Sequence, residues 1–123
     1  MPDAPLLYDG RCFRPVQNTA NGEVSGDTLF RYHQRGAVVW ATYAGGGIAQ
    51  GTLVATVAAD GALDMRYAHV SDAGALMTGT CHSVPERLPD GRLRLHETWR
   101  WTSGDRSAGR SVLEEVRQVE AER

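Results

Sequence analysis

The sequence predicts an all-β protein, an eight-stranded antiparallel up-and-down β-barrel formed by a single domain. Three observations support this fold class. Apolar and polar residues alternate along several short segments, turn-forming links separate these segments, and helical periodicity is weak. The chain has 123 residues, enough for one hydrophobic core. We expect the barrel to span about residues 8–117 of a 1–123 domain, with flexible ends.

The clearest alternation lies in residues 92–105, which read RLRLHETWRWTSGD. One face of this segment is polar and the other is apolar, as in a half-buried antiparallel strand. Glu97 is the exception, because it falls in the middle of the apolar face. The apolar members of that face are Leu93, Leu95, Trp99 and Trp101.

Seven short links join the extended segments, so each strand is expected to pair with the one before it. Pro15 in the first segment predicts an edge position or a bulge. Closing such a meander into a barrel removes its exposed sheet edges. The alternative is an open, bent sheet that dimerises through those edges. The predicted strands are Cys12–Gln17, Thr28–Gln34, Ala37–Ala44, Ile48–Ala58, Leu63–Val70, Leu76–Pro85, the segment of residues 92–105, and Gly109–Val116.

The C-terminal residues allow a second interpretation. The segment Ser111–Glu122 has a serine at its start and Glu and Arg at helical spacing. We therefore expect a strand to about Arg117, followed by a frayed tail or a short helix.

Composition excludes several classes of function. The net charge is −2 and both signs are interspersed, so nucleic acid is not expected as a partner. The 13 basic residues are all arginine, which excludes lysine Schiff-base chemistry. No stretch has the roughly 20 apolar residues of a membrane helix, and the N-terminus lacks a signal-peptide pattern. We therefore expect a cytoplasmic protein without a membrane partner.

Cysteine and histidine positions indicate neither a metal nor a cofactor. Cys12 and Cys81 match no metal or redox spacing and are expected to be buried thiols in a reducing cytosol. The four histidines are distributed one per strand without an HxH or HExxH pattern. The triple glycine at residues 45–47 precedes no helix, so it is not a nucleotide-binding loop.

A meander places its links alternately at the two ends of the barrel. The longer, glycine-rich and polar links would gather at one end, and small barrels commonly bind ligands in such a mouth. We therefore predict a ligand cavity there. The links at that end are Asn18–Gly26, Gly45–Gly47, Ser71–Gly74 and Ser103–Gly109.

Glu97 is the candidate for a functional charge. A carboxylate on an inward face must be paired, hydrogen-bonded or protonated. It could anchor the amine or hydroxyl of a ligand, act as a general acid or base, or form a structural pair with Arg31 or Arg66. No other residue is predicted to be catalytic.

The remaining predicted ligand-binding residues are aromatic, charged or amide side chains near the mouth. The aromatic residues could equally be core packing, and the amides could equally serve turn formation. Arg66 has the opposite strand parity from Tyr67, so both can face inward only across a bulge. The predicted set is Trp40, Tyr43, Arg66, Tyr67, Glu97, Trp99, Trp101, Asn18 and Asn21.

Four blocks carry a resemblance: YDGRCFRPVQNTANGEVS, VVWATYAGGGIAQGTL, LDMRYAHV and ETWRWTSGD. They resemble a family of short bacterial proteins that are often labelled "N-acetylglutamate synthase". The resemblance runs from Tyr8 to Val116 and implies one compact domain, without implying catalytic residues. Acetyltransferases of the common type need a strand that feeds a glycine-rich loop and a helix, which this sequence lacks, so we do not expect that activity. At the level of the fold, the meander is similar to avidins, lipocalins and fatty-acid-binding proteins.

Three functions follow as hypotheses. The first is a binding protein for a small organic ligand. The second is a small barrel enzyme, such as an isomerase or hydrolase, that uses Glu97 as acid or base. The third is an interaction protein that forms a homodimer through an outer apolar patch.

Overall fold

The computed structural model describes Pro5 and residues 7–116, and these residues form a closed barrel. Every strand pairs antiparallel with the preceding one, and the last strand pairs with the first. The predicted eight-stranded up-and-down barrel is therefore confirmed, and the open-sheet alternative is wrong. The strands are Cys12–Asn18 (β1), Leu29–Arg35 (β2), Val38–Gly45 (β3), Ile48–Val57 (β4), Leu63–Ser71 (β5), Leu76–Arg87 (β6), Leu93–Trp101 (β7) and Ala108–Val116 (β8).

Alternation along the strands separates the interior from the surface. On β3 the side chains of Val39, Ala41 and Tyr43 are buried, and the residues between them are exposed. The same alternation runs along β7, where Glu97 is buried together with its apolar neighbours. Burial of the inward faces around a common interior is what stabilises the closed sheet.

Pro15 lies where the register of β1 changes. The pairing of β1 with β8 shifts between Pro15 and Gln17, so the predicted bulge is confirmed. The pairing of β1 with β2 is confined to Cys12 with Arg31 and Phe13 with Phe30. Beyond Phe13 the seam between β1 and β2 opens, which leaves room for the segment that joins these strands to fold over the barrel.

The end of the barrel opposite the long links is closed by the N-terminal segment. Tyr8 is fully buried, stacks on Tyr32 at 5.9 Å between ring centroids, and donates a hydrogen bond to Gly61 O at 2.5 Å. Gln34 holds this segment, because its Oε1 accepts hydrogen bonds from the backbone N–H groups of Leu7 and Tyr8. In the described part of the chain, the N-terminal segment therefore covers this end of the barrel.

The C-terminal prediction is resolved in part. The strand β8 continues to Val116, as expected. The tail or short helix predicted after about Arg117 lies outside the described residues. In the described part of the chain, no helix is long and apolar enough to cross a membrane.

Candidate ligand-binding site

A cavity of about 50 Å³ lies inside the barrel at the end where the long links gather. This volume holds a few water-sized groups, so the aromatic side chains fill most of the interior. Strands from around the barrel and the segment between β1 and β2 contribute to its wall. The lining residues are Asn18, Gly22, Glu23, Val24, Phe30, Tyr32, Tyr43, Leu53, Met65, Tyr67, Cys81, Glu97, Trp99, Trp101 and Ser111.

Tyr43 and Tyr67 each lie against a glycine on the neighbouring strand. Tyr43 is the register partner of Gly51, and Tyr67 is the partner of Gly79. A Cβ atom on Gly51 would lie 2.4 Å from the Tyr43 ring, and one on Gly79 would fall as close to the Tyr67 phenol group. The missing side chains therefore let both rings lie along the barrel wall instead of crossing the interior.

Trp99 repeats this arrangement on the last pair of strands. Its register partner on β8 is Gly109, and a Cβ atom there would lie 2.4 Å from the indole ring. Trp101, further along β7, packs edge-on against both Trp99 and Tyr67, with ring centroids 5.4 Å and 5.7 Å apart. In all three pairs an aromatic ring lies against a glycine of the neighbouring strand and forms part of the cavity wall.

Glu97 lies in the middle of a row of inward-facing polar residues. Its register partners are Ser83 on β6 and Ser111 on β8, and all three residues are buried. The Ser111 hydroxyl donates a hydrogen bond to Glu97 Oε1 at 3.3 Å. Burial raises the pKa of the Glu97 carboxyl to about 7, against the opposing effect of the two serine hydroxyls.

Within the described part of the chain, three polar atoms at the cavity have no hydrogen-bond partner. They are Glu97 Oε2, Tyr32 Oη and Asn18 Oδ1. Buried polar atoms are nearly always hydrogen-bonded, because leaving one unpaired costs about 1–3 kcal/mol. All three atoms belong to residues that line the same cavity.

The segment 19–28 between β1 and β2, called the mouth loop below, covers the cavity. Glu23 reaches from this loop to the buried His69, with 2.8 Å between Oε1 and Nε2. On the other side of the ring, His69 Nδ1 lies 2.8 Å from the Tyr43 hydroxyl. Burial raises the pKa of the Tyr43 hydroxyl, which keeps it protonated and able to donate to Nδ1. His69 therefore links the Tyr43 hydroxyl on one side of its ring to the Glu23 carboxylate on the other.

Three further hydrogen bonds fasten the mouth loop to β7, to the link before β8 and to the start of β8. Trp101 Nε1 donates to Asn21 O at 3.1 Å. The Asn21 amide donates at 2.9 Å both to Ser107 Oγ and to Ala108 O. The loop is therefore held on both sides of the mouth, at His69 and at Trp101.

Most of the predicted site residues come together at this cavity. Asn21 lies in the mouth loop above the cavity and reaches it only through the bond of its carbonyl to Trp101. The predicted residues that line the cavity are Asn18, Tyr43, Tyr67, Glu97, Trp99 and Trp101.

The predicted position of Trp40 in the cavity wall is wrong. Trp40 lies on the outer face of β3, 37% exposed, and stacks on His33 at 5.6 Å between ring centroids. The Arg35 guanidinium also lies over the indole, 6.0 Å from its centroid. The reason is parity, because Trp40 is three residues from the inward-facing Tyr43 and must point to the opposite face.

The predicted position of Arg66 is also wrong. Its side chain is exposed on the outer face of β5 and forms an ion pair with Asp64 at 2.7 Å. The strand β5 pairs with β6 in continuous register from Leu63 to Val70, so no bulge turns the Arg66 side chain toward the interior. Neither Arg66 nor the exposed Arg31 pairs with Glu97, so the interpretation of Glu97 as half of a structural ion pair is wrong.

Several contacts of the site were not predicted. Glu23 and His69 meet across 46 positions of sequence, and no local pattern indicates such a pair. The glycines Gly51, Gly79 and Gly109 did carry a signal, because a glycine inside a strand commonly marks a close approach of another group.

The described residues contain no group of three His, Cys, Asp or Glu side chains that could hold a metal ion. The described histidines are spread over four strands, and His69 is the one that is buried.

The fold and the cavity define a class of protein, the closed antiparallel β-barrels with an aromatic-lined interior that opens at one end. Comparison with protein-family models identifies one family of such barrels. The chain belongs to the avidin-like protein family, whose model matches residues 6–116. Searches of curated proteins and of solved structures gave no match.

Proposed function

We propose that this protein binds a small organic ligand in the aromatic-lined cavity beneath the mouth loop. The observation that carries the proposal is the set of unpartnered buried atoms on Glu97, Tyr32 and Asn18. A ligand that supplied their missing hydrogen bonds would recover a large part of the cost of burying them. Membership of the avidin-like family supports the same proposal, since it is a barrel family consistent with small-molecule binding.

The size of the cavity limits the ligand that can bind without rearrangement. A space of about 50 Å³ accepts a few non-hydrogen atoms, and a larger molecule needs the mouth loop to move. The loop is fastened by hydrogen bonds at Thr19, Asn21, Glu23, Val24 and Thr28, and Val24 packs against the core. Opening the middle of the loop would break these contacts without breaking the pairing between strands.

Native mass spectrometry of the purified protein, followed by a thermal-shift screen, tests this proposal. The screen would use small alkyl ammonium salts, amides, carboxylates and biotin. We expect a retained small molecule or a saturable stabilisation by at least one compound. Ser111→Leu, which places a larger side chain in the cavity wall, should abolish that binding. Arg110→Leu, its exposed neighbour, is the matched control and should retain it.

A result without any retained molecule and without stabilisation by any compound would contradict the proposal. Binding that Arg110→Leu abolishes and Ser111→Leu retains would contradict it as well, because the ligand would then lie on the outer surface.

An enzymatic function is the second candidate. A carboxyl group with a pKa of about 7 at a cavity wall suits a general acid or base near neutral pH. Turnover would then depend on pH in the wild type and disappear in Glu97→Gln, whereas a binding protein shows no turnover with either form.

We further propose a cytoplasmic location and keep a homodimer as a hypothesis. Cys12 and Cys81 are both free and buried, which suits a reducing compartment. An outer patch that includes Val38, Trp40 and Val54 is exposed on β3 and β4 and could contribute to an interface. Measuring the mass in solution by light scattering decides between monomer and dimer.

A further inference from the structure

We propose that the ligand is a small organic cation with a primary ammonium group, bound by the Glu97 carboxylate inside the aromatic cavity. This inference rests on the proposed function and names the chemical class of its ligand. It follows from the hydrogen-bonding atoms, the charge, the aromatic wall and the size of the cavity.

The three unpartnered atoms that line the cavity can all accept a hydrogen bond. A carboxylate oxygen and an amide oxygen only accept, and the Tyr32 hydroxyl oxygen can also accept. A primary ammonium group brings three N–H donors, the same number as the unpartnered atoms. A quaternary ammonium group brings none and would leave these atoms unsatisfied.

The charges at the cavity have one sign. Glu97 and Glu23 line it, whereas no arginine or histidine does so among the described residues, and the chain has no lysine. Glu23 contacts His69, whereas burial is the main influence on the pKa of Glu97 and no cation among the described residues contributes to it. A bound ammonium group would supply the missing positive charge.

The other ionisable groups around Glu97 are neutral near pH 7. They come from the N-terminal segment and from β2, β3, β5 and β6, and burial raises the pKa of each, with the Glu97 charge adding to the effect. These groups are Tyr8, Tyr32, Tyr43, Tyr67 and Cys81. Among the described residues that line the cavity, none carries a positive charge that would balance Glu97.

The aromatic wall favours the same ligand. Rings of Tyr67, Trp99 and Trp101 pack edge-on around the cavity. Their electron-rich faces attract a cation, and this attraction strengthens where water is excluded. A short alkyl chain attached to the ammonium group would contact the same rings, and a volume of about 50 Å³ restricts that chain to a few carbons.

Binding of a cation must be coupled to the proton on Glu97. The free carboxyl has a pKa of about 7, and only its ionised form pairs with ammonium. Below pH 7 the ligand has to displace a proton, so its affinity should be about tenfold lower at pH 6 than at pH 8. At pH 6 binding should release about one proton.

The test uses Trp40→Phe protein, in which Trp99 and Trp101 are the remaining tryptophans. Propylammonium, propionamide, propionate and tetramethylammonium are titrated at pH 8 and pH 6 by isothermal calorimetry and tryptophan fluorescence. We expect saturable binding of propylammonium, weaker at pH 6. Its affinity should fall about tenfold or more in Glu97→Gln at pH 8. Asp64→Asn, which removes a carboxylate from the outer face, should bind as the parent does.

The outcomes separate this inference from the proposed function. The proposal of a cationic ligand is refuted if propionamide, propionate or tetramethylammonium binds more tightly than propylammonium. It is also refuted if Glu97→Gln leaves the affinity for propylammonium unchanged. In both cases the proposed ligand-binding cavity stands. If none of the probes binds and the purified protein retains no small molecule, the cationic ligand and the proposed binding function are both refuted. Proton release, measured with the parent protein in buffers of different ionisation enthalpy, keeps the test valid if Glu97→Gln does not fold. Binding of propylammonium without proton release at pH 6 contradicts the assigned site.

Discussion

Replacing Glu97 with glutamine should change how the stability of the protein depends on pH. The folded-state pKa of Glu97 is raised from 4.5 to about 7 by burial. Each factor of ten in proton affinity is worth about 1.4 kcal/mol, so an ionised Glu97 costs the folded state about 3 kcal/mol. Typical domains are stable by only about 5–15 kcal/mol, which makes this a measurable fraction.

The sign follows from proton uptake. Between the unfolded pKa of 4.5 and the folded pKa of about 7, the folded state binds more protons than the unfolded state. The free energy of unfolding contributed by this group therefore falls as pH rises through that window and levels off above about pH 8. Glutamine does not titrate, so Glu97→Gln should gain about 2–3 kcal/mol relative to wild type between pH 5 and pH 8.5.

Urea unfolding at a series of pH values, followed by tryptophan fluorescence, measures this difference. Asp64→Asn is the control, since the Asp64 side chain is 69% exposed and is solvated in both states. A constant difference between Glu97→Gln and wild type would refute the assignment of a buried, unpaired carboxyl. A difference of the opposite sign would mean that a cation compensates the carboxylate in the folded protein.

Two further predictions concern the aromatic wall and the mouth loop. Gly79→Ala should destabilise the barrel by about 1–3 kcal/mol in urea unfolding, because the added Cβ atom would overlap the Tyr67 ring. Gly26→Ala is the control and should cost less, because the nearest atom to its Cβ would be 3.7 Å away. Equal losses in the two variants would contradict the role given to the ring–glycine pair. Glu23→Gln should weaken the bond to His69 and speed hydrogen exchange of the mouth-loop amides roughly fivefold, without affecting the strands. Unchanged exchange in residues 19–28 would show that this contact does not hold the loop.

The fold could be predicted because its determinants are local. Alternation along each strand and a turn-forming pair such as Asp60-Gly61 are visible within a few residues. The short links then leave a meander, and closure removes the edges that an open sheet would expose. Even the bulge at Pro15 follows from one residue, since proline has no N–H to give to a ladder.

The sequence predicts the position of a site residue only where the alternation of inward and outward side chains along a strand determines it. Glu97 was identified as a polar residue on an apolar face, and it is buried in the cavity wall. The errors at Trp40 and Arg66 came from preferring residue type to parity, which places both side chains outside. In a strand without a bulge, the alternation outweighs any chemical suitability of the side chain.

The remaining parts of the site depend on distances across the barrel. The contact of Glu23 with His69 exists because the mouth loop folds back over the interior, and sequence patterns contain no information on that path. The pairing of Tyr67 with Gly79 depends on the register of two strands, which is fixed only when the sheet closes.

The most direct test of the account is a two-dimensional ¹⁵N NMR titration of the wild-type protein with propylammonium. The chain has three tryptophans, so three indole N–H signals are expected, and Trp40→Phe identifies the one from the outer face. The account predicts that the signals of Trp99 and Trp101 shift with a common saturation curve and show contacts to the ligand protons, while that of Trp40 stays in place. A shift of the Trp40 signal alone, or three unchanged signals at saturating ligand, would contradict the cavity as the binding site for this ligand.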